Sequence, residues 1–348
     1  MRISELRLTY FRNLEHVGLQ PGPGLNWLHG ANGAGKTSVL EAVYLLGRGR
    51  SFRTANLKHL IQDGADSLTV FCRTNSPDNT LGMERSRDEW RGRLSGRACQ
   101  RVSEFAEAMP LVLADPSNHQ LVEGGPNVRR AFLDWGLFHV EPGHLQRWRR
   151  YNRLLQQRNA ALKARAADSV LAAIEAPMGA AARVVDQARC HYVELLTHQV
   201  SHLQDQLQWR FSPITLHYSA ESIPEYQEAW KSHRDRDREH GFTRDGPHRA
   251  DLKLRANERL AAPRLSRGQQ KLTALLLQLA QLEVALESGQ RPLLLLDDPV
   301  SELDRFHLGS VLEWVGQRPT QAWVTAVEAP DVSEATVFHV EHGKISSA

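Results

Sequence analysis

One short segment constrains the fold more than any other stretch of this 348-residue chain: Gly30, Ala31, Asn32, Gly33, Ala34, Gly35, Lys36 and Thr37. It fits the spacing G-x-x-x-x-G-K-[ST] and lies between a short apolar run, Leu25–Leu28, and a stretch from Ser38 to Leu46 whose apolar spacing is helical. Glycines so placed let successive backbone N–H groups wrap the β- and γ-phosphates of a nucleotide. The helix N-terminus adds the positive end of its dipole, Lys36 supplies a point charge, and the Thr37 hydroxyl reaches Mg²⁺. A chance match somewhere in a chain of this length has odds on the order of 1 in 100 from ordinary residue frequencies. The flanking strand and helix lower those odds again.

Two later segments complement the loop. Leu293–Leu296 is an apolar strand that delivers Asp297 and Asp298 at its C-terminal end, where a parallel sheet binds its ligands. One carboxylate can hold Mg²⁺ through water and the second can orient an attacking water, so Asp297 is the metal-side candidate and Asp298 the water-side one. Strands ending in an acid are common, and the pair gains its weight from the glycine loop. Leu265, Ser266, Arg267, Gly268 and Gln269 open a long helical stretch over 266–286. Ser266 there is either a simple N-cap or, with the helix N-terminus, a donor aimed at the γ-phosphate held by a second copy of the chain.

Composition narrows the class. Hydrophobic residues are 41% and charged residues 24%, which supplies a core and excludes wholesale disorder. At roughly 150 residues per domain, about two domains are expected. No run reaches the roughly 18 to 20 apolar residues of a membrane span, and Met1–Gln20 lacks the apolar stretch of a secretory signal. Cys72, Cys99 and Cys190 are widely spaced and form no disulfide framework, so a reducing cytoplasm is the expected compartment. Net charge is only +3, and the arginines are more informative than the sum. Arg85, Arg87, Arg91, Arg93, Arg97 and Arg101 are interrupted by acids; Arg147, Arg149, Arg150, Arg153 and Arg158 are not, and form a candidate phosphate-contacting surface.

Along the chain, Ile3–Asn13 alternates like a half-buried strand, and Ser67–Cys72 and Leu111–Ala114 look like further strands. From about Asn127 to Trp209 the pattern is helical, with Ala181–Leu196 inside one long helix. Lys231–His240 reads as a charged, solvated return linker, Ala250–Leu260 as a strand, Asp304–Val315 as a helix and Ala322–Val327 as a strand. The chain is therefore α/β at both ends with a helical insert between.

The loop at 30–37, Leu-Ser-x-Gly-Gln at 265–269, the acids at 297–298 and Ser301-Glu-Leu-Asp304 occur in an order that resembles the ABC-type ATPase heads of transporter motors, SMC proteins and DNA-repair clamps. Leu8–Asn13, Gly49–Arg53, Leu121–Asp134 and Gly246–Leu252 narrow the resemblance to the RecF family of recombinational-repair proteins. It implies an α/β, ABC-type P-loop ATPase head split in sequence: residues 1–139 and 241–348 form the head, and 140–240 a mainly helical inserted arm. It further implies ATP and Mg²⁺ as cofactors, and a weak, DNA-stimulated hydrolysis that acts as a switch. Ser266, Gly268 and Gln269 would contact the ATP of the opposite subunit, Asp304 would lie in the loop that coordinates the two sites, and Arg12 and Asn13 would sit near the nucleotide. Expected partners are duplex DNA at gaps or single-strand/double-strand junctions, a second copy in an ATP-dependent homodimer, and recombination mediator proteins; no membrane is expected. Arg147, Arg150 and Arg153, at helical spacing with Trp148 and Leu155 turned inward, are the DNA-contacting candidates.

The chain also departs from the pattern. Asp298 stands where most ABC heads carry glutamate; one methylene less is about 1.5 Å of reach, and a 1 Å misplacement can cost on the order of 100-fold. Slow hydrolysis is the expected result. Thr325-Ala326 occupies the place of a γ-phosphate histidine. Ser117 and Asn118 replace two acids usual in the family, which argues against a metal role for that loop and leaves Gln120 as a marginal candidate. His191, His198, His202 and Glu194 would share one helix face, but with no further ligand evident a solvated face is the better reading.

Other classes fit less well. A transporter motor would not need the 228 positions that separate Thr37 from Leu265 (265 minus 37). An SMC head needs a far longer coiled coil than about 100 residues supply. A non-hydrolysing switch has no use for an intact Lys36, Thr37 and carboxylate pair.

Overall fold

The computed structural model describes residues 1–75, 78–219, 225–330 and 334–347. The chain opens with β1 (Arg2–Phe11), β2 (Leu14–Leu19), β3 (Leu25–His29) and the helix α1 (Lys36–Arg48). Then come β4 (Ser67–Asn75), β5 (Asn79–Ser86), β6 (Trp90–Leu94), β7 (Arg97–Cys99), α2 (Val102–Ala108) and β8 (Leu111–Ala114). The middle holds α3 (Gln120–Glu123), α4 (Pro126–Val140), α5 (His144–Lys163), α6 (Asp168–Gln206), β9 (Ile214–Tyr218), α7 (Tyr226–Ser232) and α8 (Arg234–His240). It closes with β10 (Leu252–Ala256), β11 (Arg259–Leu260) and α9 (Arg267–Glu287). Last are β12 (Leu293–Leu296), α10 (Pro299–Glu302), α11 (Arg305–Gly316), β13 (Ala322–Ala326), β14 (Thr336–Glu341) and β15 (Lys344–Ser347). Two compact units result: Met1–Asn118 with Ala285–Ala348, and His119–Val284. The compact middle is thus longer than the 140–240 arm that the resemblance implies, because α4 and the β10–β11 hairpin belong to it.

Among its described residues the first unit carries two six-stranded sheets. One has the order β15-β14-β3-β13-β12-β8, parallel throughout except for β15. Every residue of β12 and β13 is buried, as a parallel strand covered on both faces requires, and this is why Leu293–Leu296 has no polar alternation. The other sheet, β2-β1-β4-β5-β6-β7, is antiparallel. Its first strand buries Ile3, Leu6, Leu8 and Phe11 and exposes Arg2 and Arg7, the alternation seen in the sequence. In β6 the same logic exposes Arg91 and Arg93 on either side of buried Gly92. The first arginine series therefore lies partly on the solvent-facing positions of half-buried strands.

The second unit packs α5 against α6 around Tyr151, Met178, Ala182, Val185, Tyr226 and Trp230, with Trp148 against this cluster and Leu155 within it. The helix α6 runs for 39 residues, contains the whole of Ala181–Leu196, and tolerates Pro177 in its interior. Ala250–Leu260 is a hairpin rather than one strand: Asn257 and Glu258 take φ of 48° and 62°, the two positive values of a tight two-residue turn.

Two expectations fail here for one reason. Lys231–His240 is not a solvated linker, since most of it folds into α8 and buries Arg234 and Asp237. Arg158 is not part of a phosphate-contacting surface, since its side chain is wholly buried. Its guanidinium donates to Glu175 (3.0 Å), Asp237 (2.7 Å) and Thr243 (2.8 Å), and Arg234 donates to the other side of Glu175 (2.5 Å). Two arginines and two acids from distant segments neutralise one another. Charge density in a sequence cannot distinguish such pairing from exposure to water.

Two of the segments that carry the family resemblance clasp each other in this unit. Arg129 forms a bidentate pair with Asp251 (2.8 and 2.9 Å). Buried Arg189 does the same with Asp134 (2.9 Å for both bonds) and also donates to the Pro247 carbonyl (2.7 Å).

Candidate nucleotide site

The phosphate loop leaves β3 and enters α1 through backbone that only glycine adopts easily. Gly30 has φ of 148°, and a Cβ there would fall 2.1 Å from the Val340 carbonyl oxygen. Gly35 has φ of 122°, and a Cβ would meet Leu14 at 2.8 Å. The loop is braced from outside: Asn13 donates through Nδ2 to the Ala34 carbonyl (3.0 Å), accepts from Ser38 Oγ (3.1 Å), and the Gly343 N–H donates to Ala34 (3.0 Å). Asn13 thus abuts the loop, as part of its scaffold.

Lys36 is buried, with its ammonium donating to the carbonyls of Gly30 (2.7 Å) and Ala31 (2.9 Å). Burial pushes its pKa down, while Asp298 and Asp297 pull it back up. Thr37 and the acids of β12 come together directly: Thr37 Oγ1 donates to Asp297 Oδ1 (2.8 Å). The same oxygen accepts from Thr325 Oγ1 (2.8 Å), and Thr325 in turn accepts from the Asp298 N–H (2.8 Å). Burial raises the Asp297 pKa, against the opposing hydrogen bonds of Thr325 and Thr37. Asp298 follows in the left-handed region, φ 49° and ψ 49°, as the N-cap of α10.

The residues suit Mg²⁺ and a nucleotide triphosphate. A buried carboxylate held by two hydroxyls sits beside the threonine that follows the loop lysine, and a cation there would offset the burial that raises its pKa. Lys36 rests on loop carbonyls, which are weaker partners than phosphate oxygens.

The other candidates have their own partners. Arg12 points at Glu41, a fully buried acid of α1, through a bidentate pair whose second bond is 2.8 Å, and Ser51 donates to the same carboxylate. Arg12 and the 49–53 segment are thus anchored to α1. Asp304 caps α11, accepting from the His307 N–H (2.9 Å) and ring (2.6 Å), and the backbone bond first holds its pKa low. In the second unit, Ser266 and Gln269 cap each other's backbone, Ser266 N–H to Gln269 Oε1 at 3.0 Å and Gln269 N–H to Ser266 Oγ at 3.3 Å. Ser266, Arg267 and Gly268 are exposed. The N-cap geometry is therefore present, and it leaves the hydroxyl accessible. Arg150 and Arg153 are exposed, whereas Arg147 is half-buried and pairs with Glu141 (2.5 Å). His191 and Glu194 lie exposed and 3.6 Å apart.

Sequence reasoning alone misses three contributors. Thr325 stands out there only as the residue where a histidine is missing. Glu41 has the look of a polar residue on an amphipathic helix. Asp115 is a further acid beside this group: burial pushes its pKa up, and the neighbouring Asp297 charge adds to the rise. The i+2 serine that caps Asp115, Ser117 at 2.9 Å, is the available signal.

The parallel sheet, the phosphate loop and the paired acids define an ATPase head of the ABC class. The family model described as RecF/RecN/SMC N terminal domain matches residues 2–344. The DNA replication and repair protein RecF of Thioalkalivibrio sulfidiphilus (strain HL-EbGR7) is 39% identical over 357 residues, with 99% of each chain covered. That of Stenotrophomonas maltophilia (strain R551-3) is 40% identical over 361 residues, again with 99% of each covered. The chain belongs to the RecF family of DNA replication and repair proteins. In fold it is similar to a recombination mediator protein RecF-ATP structure of the RecFOR pathway, with a TM-score of 0.88 at 24% identity over 100% of this chain and 97% of that one. An Smc head bound to the C-winged helix domain of ScpA gives 0.64 at 15% identity over 100% and 98%. Among the described residues no helix is long and apolar enough to cross a membrane.

Proposed function

We propose that the protein is an ATP-dependent clamp on duplex DNA in recombinational repair and replication, acting at gaps or single-strand/double-strand junctions. The observation that carries this reading is the junction of Thr37, Asp297 and Asp298 beside a lysine resting on its own loop. The exposed Ser266 hydroxyl, capping a 21-residue helix, supplies the matching half for a second copy's nucleotide. In this reading residues 1–139 and 241–348 handle nucleotide and 140–240 form the arm.

When ATP enters, Lys36 exchanges the carbonyls of Gly30 and Ala31 for phosphate oxygens, and the loop N–H groups take the remainder. Thr37 and Asp297 would hold Mg²⁺, which neutralises phosphate charge. Ser266, Gly268 and Gln269 of the other subunit close over the phosphates, joining two copies around DNA, while Asp304 couples the two sites. Asp298 orients the attacking water, and its short side chain keeps turnover slow, so that hydrolysis times release. The name of the RecF relatives, DNA replication and repair protein, supports a role in replication and repair; help in loading a recombinase beside mediator proteins is the further step of this reading.

Sedimentation velocity tests the core of this reading. With Mg²⁺ and a non-cleavable ATP analogue the protein should sediment as a dimer, and duplex DNA should sharpen that boundary. A chain that remains monomeric at saturating nucleotide rules the clamp out.

The basic face of α5 gives a second expectation. Reversing Arg147, Arg150 and Arg153 to glutamate should weaken duplex binding and flatten its salt dependence, by about 0.9 in the log–log slope for each phosphate no longer neutralised. An unaltered slope in a fluorescence-anisotropy titration places the DNA surface on another face.

A further inference from the structure

The carboxylates of β12 do not hold themselves in place. Asp298 adopts left-handed backbone, which a side chain bearing Cβ seldom occupies unaided. Its N–H is tied to Thr325 Oγ1 at 2.8 Å, and the single proton of that hydroxyl is donated to Asp297 Oδ1 at 2.8 Å. One hydroxyl therefore uses both its capacities, accepting from the backbone of one acid and donating to the side chain of the other. Thr325 is fully buried in β13, which is hydrogen-bonded on one side to β12 and on the other to β3. Its β-branched side chain has little rotational freedom, so the centre of the sheet sets where the hydroxyl lies.

Thr37 reaches the same Asp297 oxygen, but its hydroxyl has a second claim on it once nucleotide is bound. Thr325 has no competing task. We infer that Thr325 is a positioning residue for this ATPase: its hydroxyl fixes the Asp297 carboxylate and the Asp298 backbone together, whichever nucleotide state Thr37 is in. This rests on the water-side and metal-side roles proposed above for the two acids.

The test uses the full-length protein and three variants. Thr325→Val keeps the shape and removes the hydroxyl; Thr325→Ser restores it; Asp298→Asn tests the underlying roles. In nucleotide-free protein, hydrogen exchange of the peptide spanning the β12–α10 junction should show the Asp298 amide exchanging at least about 10-fold faster in Thr325→Val, since a buried hydrogen bond is removed. Turnover at saturating Mg²⁺ and ATP should fall about 100-fold, the cost of roughly 1 Å of misplacement. ATP affinity measured in EDTA should stay the same, because the loop and Lys36 are untouched. Thr325→Ser should return both exchange and turnover to within a few-fold of the parent.

Unchanged exchange at Asp298 in Thr325→Val overturns the inference. So does a valine variant that loses ATP affinity in EDTA and melts earlier, with serine no better, because the threonine would then matter only as core packing. If Asp298→Asn hydrolyses ATP at the parental rate, the water-side role of Asp298 is what fails, and the exchange measurement alone decides the role of Thr325.

Discussion

A Lys36→Met chain is expected to remain monomeric at ATP concentrations that saturate the parent protein, and to lose at least about 100-fold in nucleotide affinity. That factor is near 2.7 kcal/mol, within the range of one or two hydrogen bonds to a charged partner. The substitution is informative because methionine fills similar space. Lys36 is buried, so its stem packs beneath the loop. What disappears is the ammonium, with its bonds to Gly30 and Ala31. Those two bonds also steady the loop without ligand, so a modest fall in thermal stability should accompany the change. Titration with a fluorescent ATP analogue, followed by sedimentation at saturation, checks both. Parental affinity in the methionine variant would remove Lys36 from the phosphate site and with it the assignment of the loop.

Glu175→Ala is expected to destabilise the second unit by about 3–5 kcal/mol, the usual cost of removing one partner from a buried ion pair. Glu175 is fully buried and accepts from Arg158 (3.0 Å) and Arg234 (2.5 Å). Without it two guanidinium groups face the interior with Asp237 as the remaining buried acid, and they cannot shed their charge as a carboxylate would. The urea midpoint, followed by tryptophan fluorescence because Trp230 stacks beneath Arg158, is the measurement. Exposed Arg150→Ala should change the stability drawn from it by no more than about 0.5 kcal/mol. A Glu175→Ala stability within that same margin of the parent would show that the network contributes no cohesion.

The parts legible from the sequence are those whose physics is local. A loop of fixed spacing between strand and helix needs no distant residue to be recognised, and an uninterrupted Leu293–Leu296 implies burial on both faces. The Ser266–Gln269 cap is likewise written in four consecutive residues. What escapes depends on partners far along the chain. Thr325 lies 28 positions from Asp297, and nothing adjacent to it signals that its hydroxyl serves two acids. Arg158 and Asp237 are 79 positions apart, and each looks like surface until the other is placed against it. Glu41 belongs to the same class, its charge concealed by an arginine 29 positions earlier. The β5–β7 strands are obscured differently, because arginines on their open face break the apolar alternation.

The strand order of the parallel sheet has a consequence for biosynthesis. The strand that feeds the phosphate loop emerges from the ribosome early, yet both of its lateral neighbours, β13 and β14, are translated some 300 residues later. Until then β3 has neither flank bonded, and Gly30 lacks the carbonyl of Val340 against which it packs. The helical middle can settle during translation, whereas the loop that receives phosphate must wait for the last strands, a slow, long-range closure. A nascent chain interrupted before β13 would therefore lack both lateral strands of β3, and one interrupted anywhere before residue 340 would still lack the carbonyl that packs against Gly30.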